Sequence, residues 1–194
     1  MLSRTPGEKT GAAVTNVRTY VGSYPLSGAG VFVEIRGEAT AVEVEPGKYL
    51  FALIGEETKN LALRAWGPGI PARDTDDKSR VIEHKRESIT LTPDLYPMLV
   101  TFGNLRDPAS VKEVDPSNLA ASFGPGYALK SITLEITDET VTEGGVEALL
   151  PWIGDPKVMN NPGWQEIPID ARRRLQGLIT DYTGAQKRFL EGDK

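Results

Sequence analysis

"GVFVEIRGEATAVEVEPGKYLFALI" (residues 30–54) decides how this chain folds. Its first half alternates: Val31, Val33 and Ile35 point one way, and Phe32, Glu34 and Arg36 point the other. Gly37 interrupts, and Val42 and Val44 resume the pattern. A period of two is the mark of half-buried antiparallel strands. Glu45-Pro46-Gly47-Lys48 then reads as a tight turn, because proline presets φ at its second position and glycine accepts a positive φ at its third. After the turn, "KYLFALI" (residues 48–54) is apolar almost throughout and is expected to return as a more buried strand.

Outward from this hairpin the reading stays β-rich. Residues 12–21 form an earlier strand, and "YPMLVTF" (residues 96–102) forms a short apolar one with Pro97 near its start. "ALKSITLEITD" (residues 128–138) alternates best in the second half. Residues 58–66 fit either a helical stripe or a short strand. "WGPGIPARDTDDKSR" (residues 66–80) concentrates glycine, proline and aspartate and is expected to be a loop. Asp115 with Pro116 suits the start of a helical turn. From Pro168 the apolar residues Ala171, Leu175, Leu178, Tyr182, Ala185 and Phe189 recur at spacings of four and three, which is one helical stripe.

These elements define a β-rich α+β fold: an antiparallel sheet or sandwich with a C-terminal amphipathic helix. Residues 1–154 form the β-rich domain, 155–167 a proline-rich connector, and 168–194 the helix. That helix packs on the same domain or on a partner. Burying about six of its apolar side chains would contribute roughly 1.5–3 kcal/mol each before entropy is counted.

Composition limits the chemistry. The 194 residues carry a net charge of −5, with 39% hydrophobic and 25% charged residues. That is the profile of a soluble globular chain, and its acidity disfavours generic nucleic-acid binding. There is no cysteine, so disulfides, thiolate metal sites and cysteine nucleophiles are excluded. No apolar run approaches the roughly 20 residues of a membrane span. The start, "MLSRTPGEKTG", lacks an apolar signal core, so the protein is cytoplasmic or has lost a targeting segment.

Ala120-Ala121-Ser122-Phe123-Gly124 has the pattern of some serine-hydrolase nucleophile elbows. An elbow needs a strand before it and a helix after it; here a helical turn precedes and a strand follows. The single histidine, His84, precedes the serine in a charged stretch, opposite to the hydrolase order. "GPGYALKS" lacks the glycine a phosphate-binding loop requires, and "DTDDKS" (residues 74–79) lacks the glycine and terminal glutamate of a calcium loop. No cofactor and no metal is expected. Glu34, Glu43, Glu135 and Glu143 are the candidates for paired-carboxylate chemistry, set against ordinary surface charge on an antiparallel sheet.

Binding residues are the other class. Trp66, Trp152 and Trp164 lie outside the clear strands, where an indole either contacts a partner or pins a connector onto the core. Arg172 and Arg173, followed by Arg174, either dock an acidic partner or form a solvated helix face.

Four stretches, "RGEATAVEV", "YLFALI", "YPMLVTFGNLRDPASVKEVDPSNLAASFGPG" and "LKSITLEITDETVTEGGVEALLPWIG", make the chain resemble an uncharacterised proteobacterial family of signal- or lipoprotein-type proteins. The resemblance spans about residues 10–154, and residues 97–142 are its specific part. It implies a leader before "RTPGEKTG" and a place in the periplasm or cell envelope, and it carries no activity, substrate or catalytic residue. The amphipathic C-terminal segment departs from the family pattern. The expected function is therefore a non-enzymatic binding or interaction protein of the bacterial cell envelope with a protein partner, inhibitor- or immunity-like proteins included. A carboxylate-based hydrolase, and an assembly component docking through its C-terminal helix, are the alternatives.

Overall fold

The computed structural model describes residues 7–24, 28–71, 75–153, 167–175 and 177–181. The first hairpin pairs β1 (Asn16–Tyr24) with β2 (Gly28–Glu38), in a register that sets Asn16 opposite Arg36 and Tyr24 opposite Gly28. The second pairs β3 (Thr40–Glu45) with β4 (Lys48–Ala52) through the expected turn, and Gly47 has a φ of +75°. A positive φ at that position is what glycine supplies without steric cost. β4 continues the sheet to β6 (Leu99–Phe102), and β6 to β7 (Val111–Glu113).

The result is a four-stranded antiparallel sheet in the order β3-β4-β6-β7. A three-stranded sheet, β1-β2-β9, and a two-stranded one, β5-β8, stand beside it, where β5 is Ile89–Thr90, β8 is Thr133–Leu134 and β9 is Ile179–Asp181. All are open sheets, so the architecture is a layered α+β arrangement and not a closed sandwich.

Both faces of the four-stranded sheet are covered. On one face Phe51, Leu53, Val100, Phe102 and Val111 pack under Val146 and Leu150 of the α4 region (Gly145–Leu149), with Trp152, Ala171, Leu175 and Leu178. Phe51 meets Phe102 edge-on with ring centroids 5.5 Å apart, and Phe102 meets Trp152 at 5.9 Å. On the other face Val44, Leu50, Leu99 and Val114 pack under Leu119 and Phe123, at α3 (Ala120–Phe123), with Tyr127, Leu129 and Ile132 alongside. Alternate residues of β4 thus enter different cores, which is why "YLFALI" is apolar without interruption.

Several elements differ from the sequence reading. Residues 61–66 resolve to helix α1 (Leu61–Trp66). The expected loop at 66–80 contains α2 (Thr75–Ile82), whose polar sequence hides a helix that buries only Ile82 among its described side chains. Residues 128–138 keep their alternation, with Ile132, Leu134 and Ile136 half-buried between exposed neighbours, yet ladder pairing is confined to β8. The C-terminal helix α5 covers Ile169–Leu175. It ends because the chain then bonds to other elements: Ile54 N–H donates to the Gly177 carbonyl at 2.7 Å and Ala39 N–H to that of Leu178 at 2.9 Å, which delivers β9 to the edge of β2. Ala171, Leu175 and Leu178 of the predicted stripe are buried in this chain's own core. Tyr182, Ala185 and Phe189 lie outside the described residues.

A buried carboxylate ties β2 to α4. Glu38 is 4% exposed, and its two oxygens accept the backbone N–H groups of Gly145 (3.2 Å) and Val146 (2.9 Å). These are orphan donors of the first helical turn, where a negative charge is favoured. A Cβ on Gly145 would stand 2.7 Å from Glu38 Oε1, so the glycine is what lets the carboxylate approach.

Candidate functional site

At one end of the four-stranded sheet the β3–β4 turn, the β6–β7 loop, β7 and α3 converge on a cleft of about 450 Å³. The β6–β7 loop, "GNLRDPAS", holds its own shape. Asn104 Oδ1 accepts the Arg106 N–H at 3.0 Å, and Asp107 Oδ1 accepts that of Ala109 at 2.9 Å. Ser110 Oγ accepts the Asn104 N–H at 3.0 Å and lies 2.9 and 2.7 Å from the carbonyl oxygens of Asn104 and Asp107, to one of which its single O–H donates. Trp152 adds an outside brace: its Nε1–H donates to the Leu105 carbonyl at 2.9 Å. Asp107 caps the short 3-10 turn Pro108–Ser110.

The lining charges of the cleft share one sign: Lys48, Arg106 and Lys112. Lys48 is offset by Glu45, which it contacts at 2.6 Å. Glu45 also accepts the Tyr127 hydroxyl at 2.9 Å. The Lys48 bond first, and the Tyr127 bond second, hold the Glu45 carboxyl below the usual carboxylate range; the same bond to Glu45 pushes the Tyr127 hydroxyl up. Arg106 and Lys112 have no carboxylate partner among the described residues, so two positive charges stay available. Asn104 also lines the cleft; its Oδ1 accepts the Arg106 N–H, and its amide nitrogen carries two donors. Ser122 contributes a hydroxyl; Phe102 and Phe123 also line the cleft, but their side chains are buried in the cores on opposite faces of the sheet. Cations and neutral donors together are chemically suited to an anion, on an otherwise acidic chain.

A second cavity of about 390 Å³ lies between α1 and residues 89–95. Its charged groups are turned on each other: Arg64 donates to the Asp94 carbonyl oxygen at 3.0 Å, and a hydrogen bond from Thr92, with Arg64 nearby, lowers the Asp94 carboxyl.

The residues singled out from sequence are dispersed. Trp66 and Trp152 are 8% and 5% exposed, so each anchors its segment in the interior and presents no indole face to a partner. Trp152 nevertheless bears on the cleft through Leu105. Arg172 is half-buried, and its Nε is enclosed without a hydrogen-bond partner among the described residues. Trp164, and the side chain of Arg173, lie outside the described residues. Ser122 sits exposed on α3, which follows a turn and precedes Gly124 at a φ of +100°. His84 is exposed, its Nδ1 2.7 Å from the Arg80 carbonyl oxygen. Glu43 accepts the Gly47 N–H and the Tyr49 hydroxyl of its own hairpin, while Glu143 pairs with Arg36 at 2.6 Å. Asp77, from the "DTDDKS" stretch, lies within α2 and faces Arg80 at 3.9 Å. Among the described residues no group of three or more His, Asp or Glu side chains is placed to hold a metal ion, and no helix is long and apolar enough to cross a membrane.

Sequence reasoning passed over Lys48, Asn104, Arg106 and Lys112. One signal was present: Arg106 and Lys112 are the only basic residues between Arg86 and Lys130. No protein-family model, curated protein or solved structure matches the chain.

Proposed function

We propose that this chain is a non-enzymatic binding protein of the bacterial cell envelope, and that its cleft takes an acidic group presented by a protein partner. The observation that supports the binding reading is the cleft itself, with Arg106 and Lys112 unpaired beside a braced loop. A rigid loop loses little conformational entropy on binding, which favours recognition by a preformed surface. The envelope location rests on the family resemblance of residues 97–142.

The test uses the full chain and a blocked octa-glutamate peptide, followed by fluorescence anisotropy. Binding is expected to weaken with added salt, since exposed charges are screened over about 8 Å at physiological ionic strength. It should fall about tenfold in the R106Q/K112Q variant, whose changes touch only exposed side chains. Binding that ignores both salt and the double substitution, or no binding at millimolar peptide, would overturn the proposal.

A further inference from the structure

We infer that Glu45 is a positioning residue of the cleft: it holds the Lys48 ammonium at the rim, and so tunes the cleft away from doubly charged anions such as phosphate monoesters and toward single carboxylates. This deepens the binding reading above and rests on it. Lys48 lines the cleft and Glu45 does not, so Glu45 acts through Lys48. The two residues face each other across the β3–β4 turn, just after the register of the hairpin shifts.

An exposed ion pair by itself holds little, because two long side chains part easily in water. This pair has a third member. Glu45 Oε2 lies 2.6 Å from Lys48 Nζ, and Glu45 Oε1 accepts the Tyr127 hydroxyl at 2.9 Å. Tyr127 stands 82 residues further along the chain, and its ring packs on Phe123 with centroids 6.0 Å apart. The Glu45 side chain is 32% exposed against 57% for Lys48, so the carboxylate is the anchored partner and the ammonium the tethered one. Its charge cancels that of Lys48 at the cleft, which leaves Arg106 and Lys112 without a carboxylate among the described residues. Removing a negative charge from beside a site changes the binding free energy of a dianion twice as much as that of a monoanion, because each ligand charge feels the same change of potential. Glu45 therefore bears on which anion is preferred, and not only on how tightly one is held.

Two blocked amino acids decide it: acetyl-glutamate methylamide, a monoanion, and acetyl-phosphoserine methylamide, close to a dianion at about pH 8 because its second pKa is about 6. Each is titrated into the isotopically labelled full chain, and the readout is the amide shifts of Gly103, Asn104, Lys112 and Ser122. E45Q keeps an oxygen for the Tyr127 hydroxyl and turns an amide donor toward Lys48, which frees the ammonium. It should strengthen phosphoserine binding about fivefold and glutamate binding about twofold, the proportion that their charges set. Removing Lys48 as well, in E45Q/K48Q, should return the ratio of the two affinities to that of wild type, and K48Q alone should shift it toward glutamate. A ratio unchanged in E45Q, or one that stays raised in E45Q/K48Q, overturns the role of Glu45; the anion reading then stands where R106Q/K112Q still weakens both ligands. No shift with either ligand, or shifts that R106Q/K112Q leaves unaltered, overturns both.

Discussion

Replacing Glu38 with glutamine should destabilise the protein by about 1.5–3 kcal/mol, the net worth of one hydrogen bond to a charged acceptor. The carboxylate accepts two backbone N–H groups, at 3.2 Å from Gly145 and 2.9 Å from Val146. The amide has one acceptor oxygen, so one bond is lost and an NH₂ group is set against an N–H. Val146 is buried, and an orphan donor there has no water to turn to. For a chain of this length, each kcal/mol lowers the melting temperature by about 2–4 °C, so the melt should move by about 3–12 °C. The variant E38A removes both bonds and should cost more.

A companion substitution separates this contact from general disturbance. G145A should be destabilising in the wild-type background, because the new Cβ would stand 2.7 Å from Glu38 Oε1. In the E38A background that clash is gone, and the same change should become neutral or favourable, since alanine suits a helix better than glycine by about 1 kcal/mol. Urea denaturation of the four proteins at pH 7 gives the coupling energy directly. If E38Q lies within about 0.5 kcal/mol of wild type, or if G145A costs the same in both backgrounds, the account of this junction is wrong.

Other expectations follow from the same geometry. W152F should lose about 1 kcal/mol with its hydrogen bond to Leu105, plus a packing cost, and should speed amide exchange within residues 103–110. Acid should weaken the fold: Glu45, Glu87, Asp94 and Asp115 are held below their ordinary range by hydrogen bonds from Lys48, Lys85, Thr92 and Ser117 respectively. Their contribution is complete above the unfolded carboxylate values near 4 and is lost as pH falls through the lower folded values; denaturation midpoints from pH 7 to pH 2 check this. On the alkaline side Tyr49, raised by burial and by Glu43, and Tyr127, raised by Glu45, contribute below about pH 10 and cease to as pH rises through their folded values; the same midpoints from pH 9 to pH 12, with absorbance of the phenolates, test it. Finally, amides of β1 should exchange ahead of those of β4 and β6, because among the described residues β1 is an edge strand paired with β2 whereas β4 and β6 are central strands; uniform protection across all three would contradict the assignment.

The β3–β4 hairpin was legible because independent signals agreed there: alternation before the turn, an apolar run after it, and a Pro-Gly pair where the turn needed one. Phe51 and Leu50 enter opposite cores, and uninterrupted hydrophobicity announced that. β5 and β7 were not legible, since two or three residues cannot establish a period. α2 was hidden by its Asp, Lys and Ser content, which suits an exposed helix as well as a loop. At the C-terminus the spacing of Ala171, Leu175 and Leu178 matched a helix throughout, yet backbone bonds to Ile54 and Ala39 end it after Leu175. Periodicity reports which residues are buried; it does not report whether the next turn of backbone finds a better partner elsewhere. The cleft was the least visible feature, because Lys48, Arg106, Lys112 and Ser122 come from four separate elements and meet only in three dimensions.

β2 has mechanical implications. It is eleven residues long, roughly 36 Å when extended, and among the described residues β9 pairs with it at Arg36–Glu38, at its root. Among the described residues the remainder, with β1, is a two-stranded ribbon, of a kind that has little stability by itself. A tug on the tip of that ribbon would act as on a lever whose fulcrum is Glu38, and α4 would feel the load before the main sheet did.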